Sequence, residues 1–295
     1  MTSRPAPVVR GMLWMMASGL LFIVLNTTMK KLSHALDPWV VGFLRYLFGA
    51  IVVIATALPG GLRSLWPKSP RLQLLRGVFH TGGMMLWFAA LPFVSLAELT
   101  AIGFSVPIFI CLGAVLFLEE RMTWARWAAV LAGFAGVLLV LKPGQGGGFA
   151  GISPGMLLML ASAPVFAASY LVAKALTRDD RPDIVVLWQH IWVSVLLAGV
   201  AAAYWTSPTP VQWWLLVGCG FVGAAGHYCM VRAFRVADIS AIQSVKFLEL
   251  VWAAIFGWIV FGTAPAGATV AGGAVILAAT LVLARHESRA VRRAS

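Results

Sequence analysis

This 295-residue sequence is short of charge. Only 11% of its residues are charged, and ten of them are Asp or Glu. A soluble domain carries about 25% charged residues. Cysteine is scarcer still, with three residues. Cys111, Cys219 and Cys229 are an odd number, lie in apolar stretches and lack ligand spacing, so neither a disulfide framework nor a zinc site is indicated. They read as small buried hydrophobes. No HExxH, phosphate loop or paired-cysteine motif occurs. A literal nucleophile-elbow string, Gly151–Gly155, lacks the strand-to-helix context that such chemistry needs, and Ser153 there reads as a helix N-cap ahead of Pro154. No metal or other cofactor is expected, and the chain does not read as an enzyme.

Apolar residues make up 61% of the chain, with a mean hydropathy of +0.91. A soluble fold of this size could not bury that much apolar surface, and disorder needs the opposite composition. The chain is therefore an integral membrane protein. A cleaved leader is not expected, because the first apolar stretch, Gly11–Met29, exceeds a leader's core and no clear small-residue cleavage site follows it.

Apolar runs long enough to cross a bilayer lie at 11–31, 38–58, 75–92, 95–118, 122–141, 153–175, 184–205, 211–231, 239–261 and 264–284. Continuous apolarity makes them helices rather than barrel strands. Pro and Gly punctuate the connectors, as in Leu58-Pro59-Gly60-Gly61 and Ser207-Pro208-Thr209-Pro210. With the N-terminus in the cytoplasm, the inner side receives 17 Lys and Arg and the outer side only Lys30, Lys31 and Lys142. Arg45 and Lys246 fall inside spans. That bias places both termini in the cytoplasm. The net charge of +12 then reports topology rather than a nucleic-acid partner.

The chain also repeats itself. Residues 11–32 match 155–176 at nine of 22 positions, including Gly11/Gly155, Ser18/Ser162, Phe22/Phe166 and Lys30/Lys174. A nearly equal offset, 143, pairs Ala90 with Ala233 and Phe104 with Phe247. Five spans per unit put the second unit into the membrane from the opposite side. The expectation is an all-α membrane protein of ten helices, two inverted five-helix repeats around a central cavity. The first repeat spans 1–143, a Gly-rich linker 144–152, and the second repeat 153–295. Inverted duplication is common among secondary transporters, whose site lies at midplane between the repeats.

Ala89-Ala90-Leu91, Ser95-Leu96-Ala97, Pro107, Leu118-Glu119-Glu120 and Gly133-Phe134-Ala135-Gly136 together resemble the drug/metabolite transporter superfamily, in particular its EamA-type bacterial exporters. In the second half Leu248-Glu249 fits the pattern, while Leu250 and Gly262-Thr263 stand where Pro and Glu are usual. The resemblance covers nearly the whole chain. It implies export of small metabolites without ATP, with spans one, three, four, six, eight and nine around the cavity. The aromatic-rich spans resemble the aromatic-amino-acid exporter branch most. Amino acids are thus the favoured cargo, with nucleosides or drugs as the alternative. A lipid-modifying enzyme is the alternative of another class, its one acidic cluster being Asp179, Asp180 and Asp183.

Ionisable groups within a membrane are functional candidates by default. Lys246 and Glu249, three residues apart, share a helix face with Gln243; they read either as a substrate and proton site or as a self-neutralising packing pair. His80 and His227 sit on repeat-related spans and read as proton-coupling groups or as packed imidazoles; His190, on span seven, ranks below them. Trp87, Phe104, Phe166 and Tyr170 fall on expected cavity helices. Ser18 and Ser162 are cavity hydroxyls or close-packing residues. Glu98 is a candidate gate near the outer end, and Pro107 and Pro164 are candidate hinges. Arg45, on a span that the resemblance makes peripheral, reads as snorkelling or structural.

Overall fold

The computed structural model describes residues 7–33, 35–90, 93, 103–141, 154–261 and 267–294. Glu98, the linker 144–152 and Ser153 lie outside them. The helices are α1 (Pro7–Leu32), α2 (Pro38–Ala57), α3 (Pro70–Ala90), α4 (Val106–Leu118), α5 (Trp124–Leu141), α6 (Pro154–Leu176), α7 (Pro182–Ala203), α8 (Pro210–Val236), α9 (Leu248–Phe261) and α10 (Gly267–Ala294). No strand occurs among the described residues.

Local chemistry sets the starts. Proline opens α2, α3, α6, α7 and α8, where its missing N–H costs nothing. Asp37 Oδ1 accepts from the Trp39 amide at 2.8 Å and caps α2. Thr209 and Gln212 form a reciprocal capping box on α8. At its other end α4 stops at Glu119, whose left-handed backbone lets the Glu120 amide donate to the Ala114 carbonyl at 3.1 Å.

Among the described residues, five helices are long and apolar enough to cross a membrane: α1, α2, α6, α7 and α8. α4 and the central parts of α5 and α10 are shorter apolar helices. Large apolar side chains point outward, as with Trp124 at 89% exposure and Phe117 at 76%. Polar side chains such as Gln73, Arg76 and Gln189 are buried. That inversion of the soluble pattern is what hydrocarbon surroundings require. The chain is a multi-pass membrane protein.

The packing crosses the middle of the sequence. α1 packs on α8 and α3 on α6; α2 packs on α8 and α7 on α3; α4 packs on α6 and α1 on α9. α2 meets α7, and α5 meets α10. The largest apolar cluster therefore mixes both ends of the chain, joining Met12, Ile110, Phe234, Phe247 and Ile276.

Three expected boundaries change. The ninth span is not one helix. A one-turn helix, Ile239–Ile242, passes into a 3-10 turn, Gln243–Phe247, before α9 begins. The turn coincides with the polar run Gln243-Ser244-Val245-Lys246, and Gln243 Nε2 donates to the Ile239 carbonyl at 3.1 Å. A side chain thus serves a carbonyl at the break, as buried irregular backbone demands. α3 starts five residues before position 75, because Pro70 initiates it, and α10 runs past 284 to Ala294.

Candidate functional site

A cavity of about 310 Å³ opens between α1, α3, α4, α6, α8 and the broken ninth span. α1 contributes Met15 and Asn26, α3 Trp87, and α4 with its approach Gly103, Phe104, Val106 and Pro107. α6 contributes Met159, Ser162, Phe166 and Tyr170; α8 contributes Met230 and Phe234. Gln243, Lys246 and Glu249 complete the wall. Apolar and aromatic walls with a few fixed polar groups are the usual make-up of a small-molecule site.

The polar groups are few. Lys246 Nζ donates to Glu249 Oε1 in an ion pair whose side chains are 21% and 15% exposed. The ammonium also lies 5.2 Å from the centre of the Phe22 ring, a cation–π contact. The break in the ninth span brings Lys246, in the 3-10 turn, against Glu249, in the first turn of α9. Ser162 spends its hydroxyl proton on the Met159 carbonyl at 2.7 Å.

Nine sequence candidates meet at this cavity: Trp87, Phe104, Pro107, Ser162, Phe166, Tyr170, Gln243, Lys246 and Glu249. Ser18, His80 and His227 do not line it. Ser18 Oγ donates to the Gly226 carbonyl at 2.9 Å and stitches α1 to α8. His80 Nε2 is hydrogen-bonded to Tyr46 Oη at 2.7 Å, and His227 Nδ1 donates to the Gly223 carbonyl at 2.8 Å. Both imidazoles are buried, with ring centres 5.9 Å apart, and His190 stands 5.3 Å from His227. They form a packed polar core among α2, α3, α7 and α8, screened from the cavity by Phe166, 5.5 Å from His80. Arg45 does not snorkel either. It is 8% exposed, and its guanidinium lies 4.2 Å from the Tyr46 ring centre. α2 and α7 thus hold this core rather than a periphery. Pro164 faces outward from α6, away from the cavity wall.

Met15, Asn26, Met159, Met230 and Phe234 were missed by residue type, but the repeat could have found two of them, Asn26 from Tyr170 and Met230 from Trp87. The lining contains five pairs of repeat-related positions: Met15/Met159 and Asn26/Tyr170 at offset 144, then Trp87/Met230, Gly103/Lys246 and Val106/Glu249 at offset 143. The charged pair thus occupies positions where the first half has Gly and Val.

The fold and the walled cavity define a helical membrane protein with a small-molecule site. Two copies of the EamA-like transporter family model match, over residues 9–142 and 153–285. The chain belongs to that family, and it is a transporter rather than an enzyme. A riboflavin transporter of Rhizobium johnstonii is 34% identical over 98% of this chain and 95% of its own length. An S-adenosylmethionine uptake transporter of Rickettsia bellii is 30% identical over 91% of each chain. The pseudopaline exporter CntI of Pseudomonas aeruginosa is 26% identical over 93% of this chain and 96% of its own. A solved crystal structure shares the fold, with a TM-score of 0.81 over 94% of this chain and 98% of the other at 23% identity.

Proposed function

We propose that this chain is an inner-membrane secondary transporter of ten spans, built as two inverted halves, 1–143 and 153–295, joined by the linker 144–152. Its cargo is a small polar metabolite carrying a flat aromatic ring, with riboflavin foremost. The observation that carries this reading is the lining of the cavity by five pairs of repeat-related positions. A substrate on the axis between two such halves can be exposed to either side when one half rocks against the other. The helix pairing supports the duplication, because exchanging the halves turns α1 on α8 into α6 on α3, and α2 on α8 into α7 on α3. Both termini are cytoplasmic in this reading.

The cavity suits such cargo. Trp87, Phe104, Phe166 and Tyr170 offer ring faces. Asn26, Gln243 and the Lys246–Glu249 pair offer donors and acceptors for hydroxyl, amide or imide groups. Its volume lies at the small end of ligand sites, which run from about 300 to 1,000 Å³. The names of the relatives add support for a vitamin or cofactor substrate and, for S-adenosylmethionine, for uptake.

Export of an aromatic amino acid is the second reading, favoured by Lys246 and Glu249, which could meet a carboxylate and an ammonium. Counterflow in proteoliposomes separates the two. Saturable riboflavin flux, unaffected by phenylalanine or tryptophan, is the expected result. Saturable amino-acid flux without riboflavin flux would install the second reading, and absence of saturable flux for either, for S-adenosylmethionine and for nucleosides would overturn the substrate class. An imposed pH gradient in the same assay tests proton coupling, for which Glu249 is the one carboxylate among the described lining residues.

A further inference from the structure

A second recess lies between α2, α7 and α8, shares no lining residue with the substrate cavity and measures about 500 Å³. Its α8 wall is a single stripe: Phe221, Ala225, Tyr228, Arg232 and Arg235. Their spacing of three, four or seven residues keeps them on one helix face. From Phe221 to Arg235 the stripe runs roughly 21 Å along the helix.

The two ends of this stripe differ in chemistry. Apart from the hydroxyls of Thr56 and Tyr228, the uncharged lining is apolar, with alanines of α2 and α8 and valines of α2 and α7, and Phe221 itself is 58% exposed. All the charge sits at the far end. There Arg181 donates its Nε to Asp183 Oδ1 at 3.1 Å and is neutralised by it. Arg232 and Arg235 have no carboxylate partner among the described residues. The Arg232 guanidinium is held 5.3 Å from the Trp14 ring centre and 6.0 Å from that of Tyr228, and its Nε is buried without a hydrogen-bond acceptor. Aromatic rings that occupy the guanidinium face leave its edge N–H donors free for an oxyanion.

We propose that this recess binds one anionic phospholipid, with an acyl chain along the apolar stretch toward Phe221 and the headgroup phosphate against Arg232 and Arg235. An amphiphile matches both ends at once. A small anion would leave the apolar part of the groove empty, and a zwitterionic lipid would leave the two cations without net compensation. The lipid would brace α8, which also supplies Met230 and Phe234 to the substrate cavity.

The test is native mass spectrometry and thermal unfolding of the delipidated full chain in detergent. It compares phosphatidylglycerol, phosphatidylcholine with the same acyl chains, and inorganic phosphate. One phosphatidylglycerol per chain, with a raised Tm, is expected, and neither effect from the other two. R232Q/R235Q should weaken phosphatidylglycerol binding roughly 30-fold, and R235Q alone roughly fivefold. R235Q alters an exposed side chain and keeps the test open if the double variant does not fold. A225W fills the groove with the cations intact and should also abolish binding. Equal binding of both lipids, a Tm rise with phosphate as large as with phosphatidylglycerol, or an undiminished phosphatidylglycerol preference in R235Q would each overturn the proposal.

Discussion

Glu120, beyond the end of α4, and Ser240, at the start of the broken ninth span, are joined by two hydrogen bonds across 120 positions of sequence. Ser240 donates to Glu120 Oε2 from its hydroxyl at 2.6 Å and from its amide at 3.0 Å, while the Ile239 amide donates to Oε1 at 2.8 Å. Arg126 on α5 reinforces the junction, reaching Asp238 Oδ2 at 3.1 Å and Ser240 Oγ at 3.2 Å. At the repeat-equivalent positions, offset by 143, stand Thr263, Thr269, Ser95 and Ala97. The charged latch therefore has no charged counterpart elsewhere in the repeat. Glu120→Gln keeps one acceptor but presents an amide donor to a backbone donor, at a cost of about 1–3 kcal/mol. A lower Tm is expected, with faster maleimide labelling of Cys111, which is buried on α4. A labelling rate equal to that of the parent chain would show that the latch does not restrain opening at this end.

The Lys246–Glu249 pair predicts a non-additive result. Either single variant, Lys246→Met or Glu249→Gln, removes one partner and leaves the other partly buried without compensation, which destabilises the chain and reduces flux at least tenfold. The double variant removes both charges and should recover the Tm while remaining inactive in the proteoliposome assay. Flux at the parent level in the double variant would make the pair a packing device.

The membrane class and most helix positions were legible because bilayer thickness imposes a length that any apolar run reveals. The break at Gln243–Phe247 was not, since apolar flanks hide a local change of hydrogen bonding. Lys246 and Glu249 were legible as ionisable groups within a span, and Trp87 and Tyr170 as aromatics on expected cavity helices. His80 and His227 misled for the same reason: a scarce polar residue signals burial, but its rotation around the helix decides whether it meets a cavity or a neighbour. Met15 and Met230 carried no chemical signal; the repeat marks Met230 through Trp87, but Met15 only through Met159, which was equally silent.

Tyr46 and His80 predict a purely structural effect. Tyr46→Phe leaves the ring in place and removes the hydroxyl bonded to His80 Nε2, 2.7 Å away in a buried core. Leaving a buried polar atom unsatisfied costs about 1–3 kcal/mol. A lower Tm is expected, with KM for the transported substrate unchanged, because neither residue lines the cavity. A raised KM at unaltered Tm would place the pair in substrate handling instead.

The α2–α8 crossing yields the sharpest contrast, within a single helix. A Cβ added at Gly220 would lie 2.8 Å from the Gly49 amide nitrogen and 2.5 Å from Phe48 Cβ, so backbone would have to move. At Gly218, two residues earlier, a Cβ meets nothing within 4 Å. Gly220→Ala should therefore destabilise by about 1–3 kcal/mol through overpacking. Gly218→Ala should be neutral or stabilising by up to about 1 kcal/mol, because alanine is the better helix former. Thermal unfolding of the two variants in the same detergent decides it. Equal Tm values would mean that α2 and α8 do not approach as closely as the crossing at Gly49 and Gly220 requires, and the polar core of Tyr46, His190 and His227 that this approach brings together would lose its basis.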